Sequence, residues 1–446
     1  MSSGKNNILN SFFSPKSVLL VGASDKRGKF GNQVIKNLKA IKYSGKIFPV
    51  HLSGRPILGI RAYKDIRSIP ETPELAVILC SPEDTVRVVK GCINLGIKAI
   101  MVQCSGFSEV GVTGAKFEEE VLKAIQGTDT RIIGPNTTGL ANLHSKFTTQ
   151  ILPIHVIKPG SIAFLAQSGG LSGGLGWWET ASCKFSKIIA PGNACDLKED
   201  DILRYFGDDP DTNVITVFLK TIHEASILEA MSEVTKKKPV IVYCADKYWI
   251  SRLKEHGAII AETYNELFSY AKLFALTKAP LKGLDMALLS PSSGPIAIAV
   301  NTLTDNGFKL AELSHESIER LKSIGILKAD NPVDLWPPKM LSGVEMYEKY
   351  LNTIDVFMKD QNVDGAVILY EAFKEIHFNF KVMLNKVQNL GTKPIVLACI
   401  QLENSLAQEL IKKIEEFNIP IYMDDIGGAV KALKAYFDWR NRRTIN

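Results

Sequence analysis

The chain has 446 residues, a length that accommodates about three domains. Hydrophobic residues make up 46% and charged residues 22%, a balance that excludes disordered, collagen-like and coiled-coil classes. Fifty-three Lys and Arg against 47 Asp and Glu leave a net charge of +6, too thinly spread for a nucleic-acid binder.

Seven cysteines, an odd count without any C-x-x-C pair, argue against a disulfide framework and a zinc cluster, and no metal is expected. No run of about 18 apolar residues offers a membrane span. The opening MSSGKNNILNSFFSPKS lacks a signal-peptide core, so a cytoplasmic location is expected.

In chain order, Ser17–Gly22 reads as a buried strand ending in glycine, and Gly31–Lys39 as an amphipathic helix. Lys46–Val50, Leu75–Cys80, Ala99–Gln103 and Arg131–Gly134 are further strands, with helices over Thr85–Leu95 and about 113–125. Short apolar strands alternating with helices imply an α/β fold with parallel sheets covered on both faces. Residues 1–148 form the first expected domain and 149–282 the second, with strands at Ser161–Leu165, Lys187–Ala190, Val214–Leu219, Val240–Tyr243 and Ala258–Ala261. Residues 283–446 form the third, with strands at Met286–Ser290, Gly365–Tyr370 and Pro394–Ile400.

The turns carry the chemistry. Gly22-Ala23-Ser24 follows the first strand, and Gly31 lies at the next helix start, where a phosphate can meet free N–H groups. An NAD site needs an acidic residue after the second strand. The sequence there reads Pro49-Val50-His51 and then Arg55, which suits a ribose phosphate. Ser81-Pro82, Ser105-Gly106-Phe107 and Asn136 end the next three strands, at the edge where doubly wound sheets bind ligands. Gln167-Ser168-Gly169-Gly170 and Ser293-Gly294-Pro295 each sit between a strand and a helix, and together could cradle a small carboxylate or phosphate anion.

The order GAS, SGFSEVG, GPN, AQSGG, GNACD, NPVDL resembles the NDP-forming acyl-CoA synthetases, including the ADP-forming acetyl-CoA synthetase alpha subunits and, more distantly, succinyl-CoA synthetase. The resemblance runs from about Phe12 to Tyr436. It implies a Rossmann-like CoA-binding domain followed by two flavodoxin-like domains, with coenzyme A as cofactor and CoA or acyl-CoA as ligand. It also implies a separate ATP-grasp beta subunit in a hetero-oligomer. The CoA site falls on Gly22, Ala23, Ser24, Arg55, Ser81, Pro82, Ser105, Gly106, Phe107 and Asn136. Gly192-Asn193 and Asp196 match a G-N-x-x-D segment.

Departures from the family concern its phosphorylated histidine. The family carries S-H-T-G-A, whereas this chain reads Lys254-Glu255-His256-Gly257-Ala258 after a shorter loop. Where the family places a glutamate that steadies the phosphohistidine, this chain has Lys220, which cannot accept an imidazole proton. His256 is the expected nucleophile, His223 a minor candidate, and Lys220 an added cation in the anion pocket. Two functions follow: acyl transfer to CoA with an altered or lost phosphohistidine relay, or a non-catalytic subunit that binds CoA or acyl-CoA.

Overall fold

The computed structural model describes residues 2–154, 159–174, 183–336, 343–371, 391–400 and 414–445. The chain divides into two compact units, residues 1–179 with 184–260, and residues 180–183 with 261–446.

The first unit holds two sheets. β1 (Ser17–Val21), β2 (Lys46–Val50), β3 (Leu75–Ile78), β4 (Ala99–Val102) and β5 (Arg131–Ile133) make a parallel sheet in the order β2-β1-β3-β4-β5. The strands read as continuous apolar runs because both faces are buried. Val18 and Leu20 pack with Val34, Ile35 and Leu38 of the helix Phe30–Ala40 on one face. Leu19 and Val21 pack on the other face, with Val86 and Val89 of the helix Pro82–Asn94.

The second sheet contains β6 (Gly139–Asn142), β7 (Phe147–Thr148), β8 (Pro159–Ala166), β9 (Phe185–Ala190), β10 (Val214–Leu219), β11 (Val240–Cys244) and β12 (Ile259–Ile260). Its order is β12-β11-β10-β8-β9-β6-β7, with β6 antiparallel to both β9 and β7 and every other pair parallel. The hairpin β6–β7 thus joins the second sheet, although its residues follow directly on the first. One apolar core runs from the first sheet into the second, taking in Met101, Leu165, Ile189 and Ile215. The N-terminal helix Ser2–Phe13 adds fully buried Phe12 and Phe13, and Phe13 stacks on Tyr205 at 5.1 Å. The sequence reading offers no element there; tertiary packing fixes the helix.

Two basic groups brace the second sheet. Lys187 is 2% exposed and donates to Asp209 at 2.7 Å. Lys238, of the Lys-Pro step before β11, donates to the carbonyls of Phe206 at 2.9 Å and Asp209 at 2.5 Å, closing the C-terminus of the helix Glu199–Asp208.

The second unit carries β13 (Asp285–Ser290), β14 (Lys309–Leu310), β15 (Val333–Asp334), β16 (Gly365–Glu371), β17 (Ile395–Ile400) and β18 (Ile421–Met423), all in parallel pairings. The order is β14-β13-β16-β17-β18, with β15 against the end of β13. Asn331, in the N-P-V-D-L segment, stitches this edge. Its amide donates to the carbonyls of Met286 at 2.8 Å and Ala311 at 3.0 Å, and its oxygen accepts from Leu288 N–H at 2.9 Å. Among the described residues, no helix is long and apolar enough to cross a membrane.

Candidate functional site

The first sheet reverses its winding between β1 and β3, so its ligand crevice lies beyond the carboxyl ends of those strands. The predicted CoA residues gather there. Gly22 has φ +89°, and a Cβ on it would stand 2.5 Å from the Leu79 carbonyl oxygen. A Cβ on Gly31 would stand 2.2 Å from the Gly22 oxygen. Only glycine lets the helix start approach the turn so closely. Ser24 is buried, its hydroxyl accepting from Lys26 N–H at 3.1 Å and its carbonyl from the Asn32 amide at 3.1 Å.

Ser81 caps the next helix, accepting from Asp84 N–H at 3.3 Å, and Pro82 occupies its first turn. A Cβ on Gly106 would meet Pro82 Cγ at 2.9 Å, so the turns after β3 and β4 touch. Arg55 is exposed, its side chain has no partner among the described residues, and it stays available to a phosphate. Phe107 is fully buried in the first-sheet core, so its backbone and not its ring borders the turn. The N–H groups of Gly106 and Phe107 point at Glu109, at 2.5 and 3.2 Å. That loop is therefore closed on itself by a carboxylate. Burial raises the Glu109 carboxyl, but the Asn193 amide and these N–H groups outweigh it and leave the carboxyl below its ordinary range.

Two thiols lie under the same crevice. Thr85 Oγ1 stands 3.5 Å from Cys80 Sγ and 3.2 Å from Cys104 Sγ. Burial pushes the Cys80 thiol up and the Cys104 thiol up to about 11. Neither is an activated nucleophile at neutral pH.

The G-N-x-x-D segment joins the two sheets of this unit. Gly192 approaches so closely that a Cβ would stand 2.1 Å from the Pro135 oxygen. Asn193 N–H donates to the same oxygen at 2.8 Å, and Cys195 and Leu197 continue the ladder onto Gly134 and Ile132 at 3.1 Å each. The Asn193 amide donates to Ser108 Oγ at 3.0 Å, Glu109 at 2.7 Å and Glu118 at 2.9 Å, and its oxygen accepts from Asn136 at 3.2 Å. Asp196 takes Arg131 with both oxygens, at 2.7 to 3.0 Å, and accepts Ile132 N–H at 2.7 Å. Asp196 is thus a clamp and lines no reaction centre.

Beyond the joint lies a cleft of about 520 Å³ that includes Ser108, Glu109, Asn193, Lys198, Lys220 and His223 in its walls. It sits over the carboxyl ends of β9, β8 and β10, where the second sheet reverses its winding. Thr138, two residues past Asn136, donates to the Gly169 carbonyl at 3.2 Å, so the CoA-domain edge and the Ser168–Gly170 turn are in contact.

Gln167 is held within the protein. Its oxygen accepts the N–H groups of Lys220 at 2.7 Å and Thr221 at 3.3 Å, and its amide donates to Glu199 at 2.9 Å. It shapes the turn after β10, and one of its two amide N–H groups is committed to Glu199. Lys198 pairs with Glu224, and Arg204 holds Asp200 at 2.8 Å. Lys220 and His223 are exposed to the cleft, and neither side chain has a partner among the described residues.

His256 lies elsewhere. It follows the short helix Ile250–Glu255 and precedes β12, so it belongs to the amino-end edge of the sheet, opposite the cleft. Its Nδ1 faces the Arg252 carbonyl at 2.7 Å, and its own carbonyl accepts from Thr235 Oγ1 at 3.1 Å, where the preceding helix ends. Strands of five or six residues separate the two edges by roughly 17–20 Å. The course of the loop after β11 accounts for this. Cys244–Trp249 is spent on a 3₁₀ turn capped by Asp246, which also accepts Thr221 Oγ1 at 2.7 Å, and nothing remains to lead a histidine back over the sheet.

In the second unit, Ser293-Gly294-Pro295 opens the 13-residue helix Ser293–Asp305. Ser292 just before it donates to Glu371 at 2.6 Å, so a carboxylate already stands beside that turn. Among the described residues no group of three or more His, Cys, Asp or Glu could hold a metal.

Sequence reasoning passed over Lys198 and the role of Asn193 as the joint between sheets, and it placed the Ser105–Glu109 turn at the ligand edge without bringing Ser108 and Glu109 to Asn193. The signal available was the position of S-G-F-S-E and G-N at strand ends of two different sheets, but only the fold puts them side by side.

Residues 16–142 match the CoA binding domain family, and residues 159–248 match the succinyl-CoA ligase like flavodoxin domain. The chain is 29% identical over 458 aligned residues to the acetate–CoA ligase (ADP-forming) II subunit alpha of Pyrococcus furiosus, covering 96% of this chain and 97% of that one. It is 28% identical to the I subunit alpha of the same organism, with 97% of each covered. The crystal structure of PH0766 from Pyrococcus horikoshii superposes with a TM-score of 0.87 at 28% identity, covering 98% of this chain and 99% of that one. The first domain is a CoA-binding domain, coenzyme A is its cofactor, and the chain resembles the NDP-forming acyl-CoA synthetases over almost its whole length.

Proposed function

We propose that this protein is the CoA-binding, alpha-type component of an ADP-forming acyl-CoA synthetase, transferring an acyl group between an acyl phosphate and CoA. The observation that carries this reading is the cleft at the sheet junction. It lies at the end of the CoA-binding crevice and exposes an unpaired Lys220. CoA held by its nucleotide end in the first domain has its thiol end directed along Ser105, Asn136 and Asn193 toward that cleft. Lys220 receives the phosphate of the acyl phosphate and draws charge off the leaving oxygen. The thiolate attacks the acyl carbon, the C–O bond to phosphate breaks, and thioester and inorganic phosphate result. The gain comes from holding two reactants at one edge.

The two Pyrococcus furiosus relatives are named alpha subunits, which supports a separate subunit for nucleotide chemistry. We assign that role to an ATP-grasp partner. His256 takes no part in the scheme, in keeping with its place on the far edge and with an altered phosphohistidine relay.

The test mixes the purified protein with CoA and acetyl, butyryl and longer acyl phosphates and follows thioester formation. Lys220→Glu should abolish phosphate affinity and thioester formation while CoA affinity stays at the wild-type value. A wild-type protein that binds CoA but neither binds phosphate nor forms thioester refutes acyl transfer and leaves a CoA-binding subunit.

A further inference from the structure

We propose that Cys80 and Cys104 form a dithiol–disulfide switch at the CoA crevice, and that their oxidation to one disulfide closes the crevice to CoA. The proposal builds on CoA binding by the first domain and is independent of acyl transfer in the cleft.

The strands bring the two thiols together. β3 and β4 run parallel with Ile78 opposite Val102, and Gln103 N–H donates to the Ile78 carbonyl at 2.9 Å, so the pairing holds to the strand ends. Two residues further along each strand come Cys80 and Cys104. Side chains two apart along a strand share a face. Both thiols accordingly pack against the core that contains Ile78, Val102 and Val89. Neighbouring strands stand about 4.8 Å apart, inside the Cα separation of about 4.4–6.8 Å that a disulfide spans. One hydroxyl, Thr85 Oγ1, touches both sulfurs, at 3.5 Å from Cys80 and 3.2 Å from Cys104. All seven cysteines are free; Cys80, Cys104 and Cys195 are half-buried and the other four are buried. A small oxidant therefore has a route to this pair.

The pair lies directly under the ligand edge. Cys80 precedes Ser81 and Pro82, and Cys104 precedes Ser105 and Gly106, the two turns assigned to CoA. These turns have no slack, since a Cβ on Gly106 would already meet Pro82 Cγ at 2.9 Å. Thr85 Oγ1 donates to the Ser81 carbonyl at 2.9 Å, and Ser81 caps the helix Pro82–Asn94. Bonding the two sulfurs displaces the hydroxyl that touches both, and the first turn of that helix shifts with it.

The oxidant is a low-molecular-weight disulfide. The Cys80 thiolate attacks one of its sulfurs; a mixed disulfide forms as the small S–S bond breaks, and one small thiolate leaves. The Cys104 thiolate then attacks Cys80 Sγ and expels the second. Two protein thiols are oxidised, one small disulfide is reduced, and the two protons end on the released thiols. Burial raises both protein thiols, so exchange is slow at neutral pH and the switch responds to sustained oxidation.

The experiment equilibrates the full chain with glutathione disulfide at about pH 8.5, where more thiolate is present. Intact mass, peptide mapping without reduction and CoA calorimetry are read before oxidation, after it, and after dithiothreitol. Wild type is compared with Cys80→Ser/Cys104→Ser. Wild type should lose about 2 Da and yield a Cys80–Cys104 linked peptide. Its CoA affinity should fall at least about tenfold, the worth of one charge-assisted bond, and return on reduction. The double variant should bind CoA like reduced wild type and keep that affinity in the oxidant. No disulfide, a disulfide through Cys195 or another cysteine, or a lasting glutathione adduct overturns the pairing. A Cys80–Cys104 disulfide that leaves CoA affinity unchanged, or an equal loss of affinity in the double variant, overturns the switch. Should the double variant not fold, wild type alone decides, by whether affinity and the linked peptide disappear and return together.

Discussion

Removing the Asp196 carboxylate should separate the mechanical joint of the first unit from its chemistry. Asp196 takes Arg131 with both oxygens and accepts Ile132 N–H at 2.7 Å, and the two side chains are 13% and 25% exposed. In Asp196→Ala the guanidinium keeps most of its burial and loses its counter-charge, and a backbone donor of β5 is orphaned. Breaking a buried pair by deleting one partner costs about 3–5 kcal/mol. Partial exposure of this pair lowers the expected cost to about 2–4 kcal/mol. Asp196→Asn keeps an acceptor for Ile132 N–H and should cost about 1–2 kcal/mol, the worth of the lost charge-assisted bonds. Arg131→Met, which leaves Asp196 still accepting Ile132 N–H, should fall between. Urea unfolding of Asp196→Ala, Arg131→Met and the double variant Arg131→Met/Asp196→Ala completes a cycle with an expected coupling of about 1.5–3 kcal/mol. CoA affinity measured by calorimetry should move little, because no CoA residue is touched. An Asp196→Ala cost below about 0.5 kcal/mol, the range of an ordinary surface change, would refute the clamp. So would an additive cycle.

The remaining predictions concern ligand, pH and core. If Arg55 meets the 3′-phosphate of CoA, dephospho-CoA should bind more weakly by about 1.5–3 kcal/mol, and Arg55→Ala should erase the difference in calorimetry. Gly22→Ala puts a Cβ 2.5 Å from the Leu79 oxygen at φ +89°, so it should lower CoA affinity more than tenfold or destabilise the chain by more than about 1 kcal/mol. Glu109 has its carboxyl held below the ordinary 4.5, so its clasp on Gly106 and Asn193 is intact above that value and is lost as pH falls through the depressed one. An acid titration followed by tryptophan fluorescence should therefore show a shallower acid limb in Glu109→Gln than in wild type. Lys187→Met leaves buried Asp209 without its cation and should cost about 3–5 kcal/mol by denaturant unfolding, whereas Lys187→Met/Asp209→Leu should recover part of that loss.

Much of this architecture was legible before any coordinates. Strands such as Ser17–Val21 and Val214–Leu219 are continuous apolar runs because both sheet faces are covered, and such runs between glycine-bearing turns are strong signals. The CoA turn was legible for the same reason, since Gly22 and Gly31 are demanded by local geometry that sequence order displays. Short elements escaped. β6, β7, β14 and β15 are two to four residues long, too short for periodicity, and exist because a neighbouring strand offers an edge. The burial of Phe107 was not legible, because an aromatic beside a turn and an aromatic in a core look alike in one dimension. Asn331 and Asp196 sit in motifs that recognise the family well, yet their side chains hold sheets together, so a motif can identify a fold without naming a reactive group.

His256 and Lys220 lie at opposite edges of one parallel sheet. In a parallel sheet each strand runs from one edge to the other, so residues before a strand and residues after it are separated by the full strand length. Lys220 follows β10 and His256 precedes β12, and no adjustment of side-chain rotamers brings them together. A histidine so close in sequence to the family's position can serve the cleft only if the loop after β11 is long enough to cross the sheet edge. Here the loop is consumed by the turn at Asp246, whose carboxylate also holds Thr221 in the wall of the cleft. The loop therefore does two things at once: it leads the chain back to the far edge, where His256 lies, and it braces the segment that carries Lys220 and His223. The same strand geometry leaves Lys220, at the carboxyl end of β10, exposed in the cleft wall, whatever group the opposite edge carries.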